Sequence, residues 1–300
     1  MTHVATLVCD PAISALTGEM LTRACNILTS PARPNWLAQG IAADIAFEPP
    51  APDGARAIAD RVRAALGGAK VDVIVQELQG RRKKLLLADM DSTMIGQECI
   101  DEIADEIGKR KEIAIITERA MRGEVDFEPA LRERVALLKG LGRAAIEDVI
   151  ARKITLTPGA LALVQTMRKN GAHTALVSGG FSLFTSAIAG RLGFNEHQAN
   201  KLIFGKDGTL TGLAEPVLGK DAKLAALVRL REKLGISVNE TLAVGDGAND
   251  LAMLEAASLG IAFHAKPKVA AAAHARIDHG DLTALLYAQG FRREEFAARP

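Results

Sequence analysis

Cysteine, aromatic residues and net charge are all scarce in this sequence. It has 3 cysteines in 300 residues, and aromatic side chains make up 4% of the chain. An odd number of widely spaced cysteines argues against a disulfide framework and for a reducing compartment. Because Cys9, Cys25 and Cys99 form no Cys-x-x-Cys pair and lie in no histidine cluster, the sequence does not predict a zinc site.

Positive and negative charges almost cancel, leaving a formal net charge of +1. Such a balance provides no overall attraction to nucleic acid or to a membrane surface. The basic run at residues 81–84 (RRKK) directly precedes an apolar segment, and we interpret it as a solvated linker. No stretch reaches the ~18 apolar residues of a membrane span, and the pattern of a signal peptide is missing. We therefore expect a cytoplasmic protein that binds neither nucleic acid nor membranes.

Two acidic residues follow a short apolar segment. Asp89 and Asp91 come directly after residues 85–88 (LLLA), which we predict to be a buried strand. Open α/β sheets place their chemistry at the carboxyl ends of strands. There Asp89 could attack phosphorus, while Asp91 could protonate the leaving oxygen and later deprotonate water. Taken alone, the motif also fits a strand-to-helix junction in which Asp and Ser cap the next helix.

A second apolar segment ends in a hydroxyl and two glycines. Residues 175–177 predict a strand, and Ser178, Gly179 and Gly180 follow it. Backbone N–H groups in such a glycine turn can approach an anionic phosphate. Further along, Lys223 could neutralise the charge shared by a phosphate and an attacking carboxylate. Each feature has an ordinary alternative, a strand-to-turn junction or a solvated lysine.

A third predicted strand, residues 241–245, ends in acids. Asp246 and Asp250, together with Asp89, would make a cage of hard oxygen ligands suited to Mg²⁺. An Asx-rich loop is the ordinary alternative. The order of the segments and their common position at strand ends make a coincidence improbable, and together they predict a phosphoryl-transfer site.

These motifs resemble the haloacid dehalogenase superfamily and, within it, the phosphoserine phosphatase family. The resemblance extends over residues 85–263, and Met90 stands where the family often has Phe, which leaves both acids intact. The superfamily motifs occur here as DMDST (89–93), VSGG (177–180), the lysine of DAKL (221–224) and GDGAND (245–250).

The resemblance implies a substrate pocket in a helical cap inserted at about residues 96–156. O-phospho-L-serine carries an ammonium group and a carboxylate besides its phosphate. Glu98 would pair with the ammonium group and Arg134 would bind the carboxylate in bidentate fashion, while Met121 and Phe127 would line the pocket. Without the resemblance, Glu98 would be a first-turn helix charge, Arg134 a partner on a solvated helix face and Phe127 a core residue.

The resemblance implies Mg²⁺-dependent hydrolysis of O-phospho-L-serine through an aspartyl-phosphate, the last step of L-serine biosynthesis. One alternative is a related phosphatase or phosphotransferase acting on another small phosphomonoester, and a remote one is a non-catalytic amino-acid-binding regulator. The residues assigned by resemblance are Asp89, the main-chain carbonyl of Asp91, Asp246 and, in an outer position, Asp250 for Mg²⁺, with Ser178, Gly179, Lys223 and Asn249 for phosphate.

Residues 1–80 are predicted to be a separate small unit. Its predicted order, β-α-β-α-β, resembles an ACT domain of ferredoxin type that lacks one strand. Such a unit could sense an amino acid or form a homodimer, or it could be a structural appendage. The predicted strands are residues 4–8, 41–47 and 71–77, and the predicted helices are 12–28 and 55–66.

Residues 81–300 are predicted to form the catalytic core. A hydrophobic content of 48% supports a full core in a chain of two units. From residue 157 onward, strands and helices alternate as in a doubly wound α/β fold with a parallel sheet. The cap is expected to contain four helices, at residues 98–107, 110–122, 128–138 and 143–153.

Overall fold

The computed structural model of the protein describes residues 1–50, 54–122, 124–219 and 221–297. The side chain of Met121, which the sequence analysis assigned to the substrate pocket, lies outside the described part. Strands in the described segments form a four-stranded antiparallel sheet, a six-stranded parallel sheet and a two-stranded hairpin. The predicted fold class, an α/β core with a helical insertion and a small N-terminal α+β unit, is confirmed.

The N-terminal unit has four strands, one more than the sequence predicted. The additional strand contains only four residues and follows a segment with two prolines, so it is too short to show an alternating pattern. Its sheet has the order β2-β3-β1-β4. The elements are β1 (His3–Cys9), α1 (Gly18–Ile27), β2 (Asn35–Ala38), β3 (Ala42–Phe47), α2 (Ala55–Ala65) and β4 (Val71–Glu77).

The two faces of this N-terminal sheet differ in chemistry because successive side chains point to opposite sides. One face is apolar, and Leu7 and Ile45 pack there under the two helices. The other face carries polar side chains that contact the rest of the protein, together with Val8 and Ile74, which join its hydrophobic core. Asp72, for example, accepts hydrogen bonds from the backbone N–H groups of Asp278, His279 and Gly280 at 2.8, 3.2 and 2.7 Å.

The central sheet is parallel and has the strand order β12-β11-β10-β5-β6-β7. Its central strands are buried on both faces, as expected for a sheet covered by helices on either side. No helix in the described segments has the length and apolar character needed to cross a membrane. The strands are β5 (Leu85–Ala88), β6 (His173–Phe181), β7 (Glu196–Asn200), β10 (Thr241–Gly245), β11 (Leu259–Phe263) and β12 (Ala275–Ile277), and the helices are α7 (Ala160–Lys169), α8 (Ser182–Leu192), α9 (Ala222–Leu234), α10 (Leu251–Ala256), α11 (Pro267–Ala272) and α12 (Ala284–Ala288).

Four helices form the cap between β5 and β6, and a hairpin that the sequence analysis missed packs against them. The hairpin follows β7 and is bonded to the cap loop, because the Gly140 N–H donates to Leu210 O and the Leu210 N–H donates to Leu141 O. An Asp207-Gly208 turn signal marks the hairpin, but its strands are too short for periodicity to find. The elements are α3 (Cys99–Glu106), α4 (Arg110–Met121), α5 (Phe127–Leu137), α6 (Arg143–Arg152), β8 (Leu202–Phe204) and β9 (Leu210–Leu213).

Candidate active site

Three adjacent strands deliver the candidate site to one edge of the central sheet. β5 lies between β6 and β10, so the residues after these strands meet at their carboxyl ends. The N–H of Asp89 still bonds to Val244 O of β10 at 3.0 Å, which aligns its side chain with the acids that follow β10. Directly afterwards the chain turns away from the sheet, with Ser92 in the left-handed region at φ +53°.

Lys223 lies between two buried carboxylates. Its Nζ is 2.7 Å from Asp89 Oδ1 and 2.5 Å from Asp250 Oδ1. Burial alone would lower the pKa of Lys223, but the two carboxylates outweigh it and raise that pKa above its usual value. Burial and the nearby Asp250 raise the pKa of Asp89 well above its usual value, although Lys223 opposes the shift. The lysine therefore stays charged and compensates the charge of a carboxylate that is otherwise poorly solvated.

Asp246 completes a cluster of three carboxylates. Oxygen atoms of Asp89, Asp246 and Asp250 lie within 4.8 Å of one another. Thr93 Oγ1 donates to Asp246 Oδ1 at 3.0 Å, and the Gly247 N–H donates to Asp250 Oδ2 at 2.9 Å. Burial and the Asp250 carboxylate raise the pKa of Asp246 to about 6. Three carboxylates around one ammonium group leave an excess of negative charge and hard oxygen donors, which fits a divalent cation such as Mg²⁺.

Asp91 is held at the start of α3. Its Oδ1 accepts the backbone N–H of Cys99 at 3.3 Å. Burial and the carboxylate of Glu98 raise the pKa of Asp91 to about 7. A carboxyl group with this pKa carries a proton for a substantial fraction of the time near neutral pH, as a general acid must.

The last part of β6, residues 178–180, where the pairing with β7 is irregular, approaches both Asp91 and the cap. The Gly180 N–H donates to Ser178 Oγ at 2.9 Å. A Cβ atom on Gly179 would lie 3.0 Å from Phe127 Cζ, and one on Gly180 would lie 3.1 Å from Asp91 Oδ2. A side chain at either position would crowd its neighbour, which favours glycine there. An open recess of about 250 Å³ lies beside these residues and is lined by Phe127, Val177, Ser178, Gly179, Gly219, Ala222, Lys223 and Asn249.

The cap contributes one acid and one arginine next to Asp91. Glu98 Oε1 accepts a hydrogen bond from Ser92 Oγ at 2.8 Å. Arg134 is largely buried in α5, and its guanidinium donates to Ala130 O at 3.2 Å and to Thr117 Oγ1 at 3.5 Å.

Burial lowers the pKa of Arg134, whereas the carboxylates of Asp101, Glu98 and Asp91 oppose that shift. These three carboxylates therefore lie near enough to Arg134 to interact with it electrostatically. The structure thus brings together the predicted residues of both the core and the cap, apart from Met121, whose side chain is not described.

Sequence reasoning missed three residues that contact the site. Thr93 bonds to Asp246 and stands inside the DMDST motif, so the motif itself could have identified it. Cys99 was not assigned to the site, yet its N–H bonds to Asp91, which the start of a helix could have suggested. Asn200 bonds to Gly179, and nothing in its sequence surroundings indicates this.

A family model described as haloacid dehalogenase-like hydrolase matches residues 86–255, and the chain belongs to this family of hydrolases. The phosphoserine phosphatase of Polaromonas sp. (strain JS666) is 44% identical over 225 residues, which cover 73% of this chain and 95% of that protein. At this identity and coverage, the chain also belongs to the phosphoserine phosphatase family, and the resemblance seen in the sequence is confirmed.

Solved structures agree with this assignment. A haloacid dehalogenase family hydrolase, t0658 from Salmonella enterica serovar Typhi, superposes with a TM-score of 0.81 at 30% identity and covers 95% of this chain and 98% of that one. A substrate-bound phosphoserine phosphatase superposes with a TM-score of 0.63 at 42% identity and covers 69% of this chain and 98% of that one. The first match includes the N-terminal unit, because it extends over almost the whole chain.

Proposed function

We propose that this protein hydrolyses the phosphoric monoester O-phospho-L-serine to L-serine and phosphate, the last step of L-serine biosynthesis. The observation that carries the proposal is that two cap residues of opposite charge, Glu98 and Arg134, both lie near enough to Asp91 to interact with it electrostatically. A phosphate site alone would accept many esters. A carboxylate and a guanidinium above it match the ammonium and carboxylate groups of an amino acid.

Arg134 suits the carboxylate end of the substrate. A guanidinium has five N–H donors, and the hydrogen bonds to Ala130 O and Thr117 use only part of them. Glu98 receives one hydrogen bond from Ser92 and can still accept from an ammonium group. Phe127 lies over Gly179 and would exclude water from the ester, which strengthens both ion pairs.

Phosphoryl transfer would proceed in two displacements. Asp89 Oδ attacks phosphorus and forms an aspartyl-phosphate, while Asp91 gives its proton to the departing serine oxygen. Asp91, now ionised, then takes a proton from the water that hydrolyses the intermediate. The pKa of about 7 allows Asp91 to serve in both directions near neutral pH.

Positive charge and N–H groups around the recess would bind the phosphate. We assign its equatorial oxygens to Ser178, the Gly179 N–H and Lys223, and a further contact with phosphate or water to Asn249. We assign Mg²⁺ to Asp89, Asp246, the main-chain carbonyl of Asp91 and, in an outer position, Asp250. A bound Mg²⁺ would offset the repulsion between the phosphate and the Asp89 carboxylate.

Phosphate release from a small panel of esters tests the function. The panel contains phosphoserine, phosphothreonine and a sugar phosphate, each with Mg²⁺ and with EDTA. We expect hydrolysis of phosphoserine to be fastest and to disappear with EDTA. A preference for the sugar phosphate would overturn the substrate assignment. Transfer to an added amino alcohol in place of water would instead identify a phosphotransferase.

We also propose that residues 1–80 and 81–300 are two units, with the cap at about 96–156, in a cytoplasmic protein that forms a homodimer through its N-terminal unit. The edge position of β2 supports the dimer, because an edge strand offers unpaired backbone groups. Free cysteines support a reducing compartment. Light scattering of the purified protein would measure the mass, and a monomer at micromolar concentration would overturn the dimer.

A further inference from the structure

Asn200, the last residue of β7, connects the end of β6 to the segment around Leu218 without lining the recess of the candidate site. Its side chain is buried, with 2% exposed. Nδ2 donates to Gly179 O at 2.9 Å and to Leu218 O at 3.4 Å, and Oδ1 accepts from the Leu218 N–H at 2.7 Å. A single amide therefore holds the end of β6 at residues 178–180 and the segment around Leu218 that precedes α9.

The bond to Gly179 sets the direction of a peptide group in residues 178–180 of β6. In a trans peptide the C=O and the following N–H point to opposite sides. Because Asn200 holds the Gly179 carbonyl, the Gly180 N–H is directed the other way, where it bonds to Ser178 Oγ. Asn200 thus orients residues 178–180, whose hydroxyl and N–H groups face the recess.

The bonds to Leu218 place the second loop. Gly219 follows Leu218 and lines the recess, and Lys223 lies in the first turn of α9. The same region closes the base of the hairpin, because the Ala214 N–H donates to Lys201 O at 2.8 Å. The other end of the hairpin is paired with the cap loop at Gly140. Asn200 consequently lies where three parts of the structure meet. These are residues 178–180 of β6, the segment that precedes Lys223, and the hairpin that packs against the cap.

We propose that Asn200 is a positioning residue that sets residues 178–180 of β6 and the Lys223 segment at the separation that phosphoryl transfer requires. It acts through backbone groups and does not touch the substrate. The proposal rests on the phosphoryl-transfer function proposed for this site. The rate depends on how accurately the phosphate-binding groups are positioned, because a displacement of about 1 Å can cost on the order of 100-fold in rate.

Variants of Asn200 and a matched asparagine test the proposal. Asn200→Leu keeps the approximate volume and removes every hydrogen bond, and Asn200→Ser keeps a shorter polar group. Asn195→Ala is the control, since Asn195 also links β6 to β7 but does so at Thr174, at the opposite end of the strands. For each full-length protein we would measure kcat, KM, the inhibition constant of inorganic phosphate and Tm, with all kinetics well below Tm.

We expect Asn200→Leu to lower kcat/KM by roughly 10- to 100-fold and to weaken inhibition by phosphate about tenfold, with Asn200→Ser between it and the unchanged protein. Asn195→Ala should alter Tm alone. The proposal is overturned if folded Asn200 variants keep kcat/KM and phosphate inhibition within about twofold of the Asn195 control. It is equally overturned if Asn200→Ser does not fold, since Asn200 would then serve the fold itself.

A second ester distinguishes an error in the role proposed for Asn200 from an error in the substrate assignment. p-Nitrophenyl phosphate has neither an ammonium group nor a carboxylate, so it reports on the phosphate site alone. If the unchanged protein hydrolyses this ester but not phosphoserine, the substrate assignment is wrong, and the comparison of Asn200 with Asn195 still stands on the second ester.

Discussion

The ammonium group of Lys223 lies 2.7 Å from Oδ1 of Asp89. This contact restrains the carboxylate that would attack phosphorus and compensates its charge in a site where Asp89 is only 6% exposed. A free carboxylate there would be protonated or would repel the phosphate. Because the same Nζ is also bonded to Asp250, the lysine remains fixed when Asp89 turns toward a substrate.

Asp89→Asn should abolish turnover while the protein stays folded. The amide has nearly the same shape but is a poor nucleophile, and Lys223 keeps its bond to Asp250. We expect kcat to fall by at least about 10³-fold, because uncatalysed hydrolysis of these esters is extremely slow. Phosphate release and circular dichroism would measure activity and folding. Substantial activity in the purified variant would show that water attacks phosphorus directly.

Arg134→Ala should weaken binding of phosphoserine far more than binding of phosphoethanolamine, which lacks the carboxylate. Loss of one partner of a desolvated charge pair costs roughly 2–5 kcal/mol, and this cost should appear in KM for phosphoserine. Arg143→Ala is the matched control, since Arg143 is a cap arginine in an exposed pair with Glu147. Equal losses for both esters would mean that Arg134 supports the cap and does not bind the substrate.

Asp91→Asn should stabilise the metal-free protein strongly at about pH 8 and by only roughly 1–2 kcal/mol at about pH 5. In the folded protein Asp91 has a pKa of about 7, compared with its usual 3.8, mainly because of burial. The contribution of Asp91 to the free energy of unfolding is therefore fully present below about pH 3.8. It is lost as the pH rises from that value through the folded-state pKa of about 7. We expect a gain of roughly 2–4 kcal/mol at the upper pH.

Urea unfolding of this variant in EDTA at both pH values would measure the effect. Asp126→Asn, on the exposed start of α5, serves as the control. A stabilisation that is the same at both pH values would contradict the titration of Asp91 as its cause.

Asp72→Ala should destabilise the protein by about 3 kcal/mol, because three backbone N–H groups, one of them fully buried, lose their acceptor. Glu77→Ala, at the exposed end of the same strand, should have little effect. Chemical unfolding followed by circular dichroism gives both values. If the two variants are equally stable, the contact between the N-terminal sheet and residues 278–280 contributes nothing to folding.

The sequence was sufficient to predict which residues at the carboxyl ends of the central strands would lie close together. Asp89, Ser178 and Asp246 each come directly after an apolar run, and neighbouring parallel strands must bring their ends together. The resemblance then supplied Glu98, Phe127 and Arg134, which spacing alone would not have separated from ordinary helix residues.

What the sequence did not reveal depends on contacts between distant segments. Strand β2 and the hairpin are too short to show a period, and their stability comes from the sheet or loop beside them. Asn200 looks like any strand-end asparagine, and its role follows from backbone groups of Gly179 and Leu218 that the fold brings to it. Tertiary hydrogen bonds of this kind leave no local pattern.

The polar face of the N-terminal sheet has a consequence for synthesis of the protein. Gln76 donates to the carbonyl of Ala288, 212 residues further along. At about 5–20 residues per second, a ribosome needs roughly 10–40 s to make that partner. During this interval the face is uncovered, and its buried acids, Asp44 and Asp72, would discourage association with other nascent strands. The carboxylates that hydrogen-bond to the rest of the folded protein would thus first reduce association of the uncovered sheet with other chains.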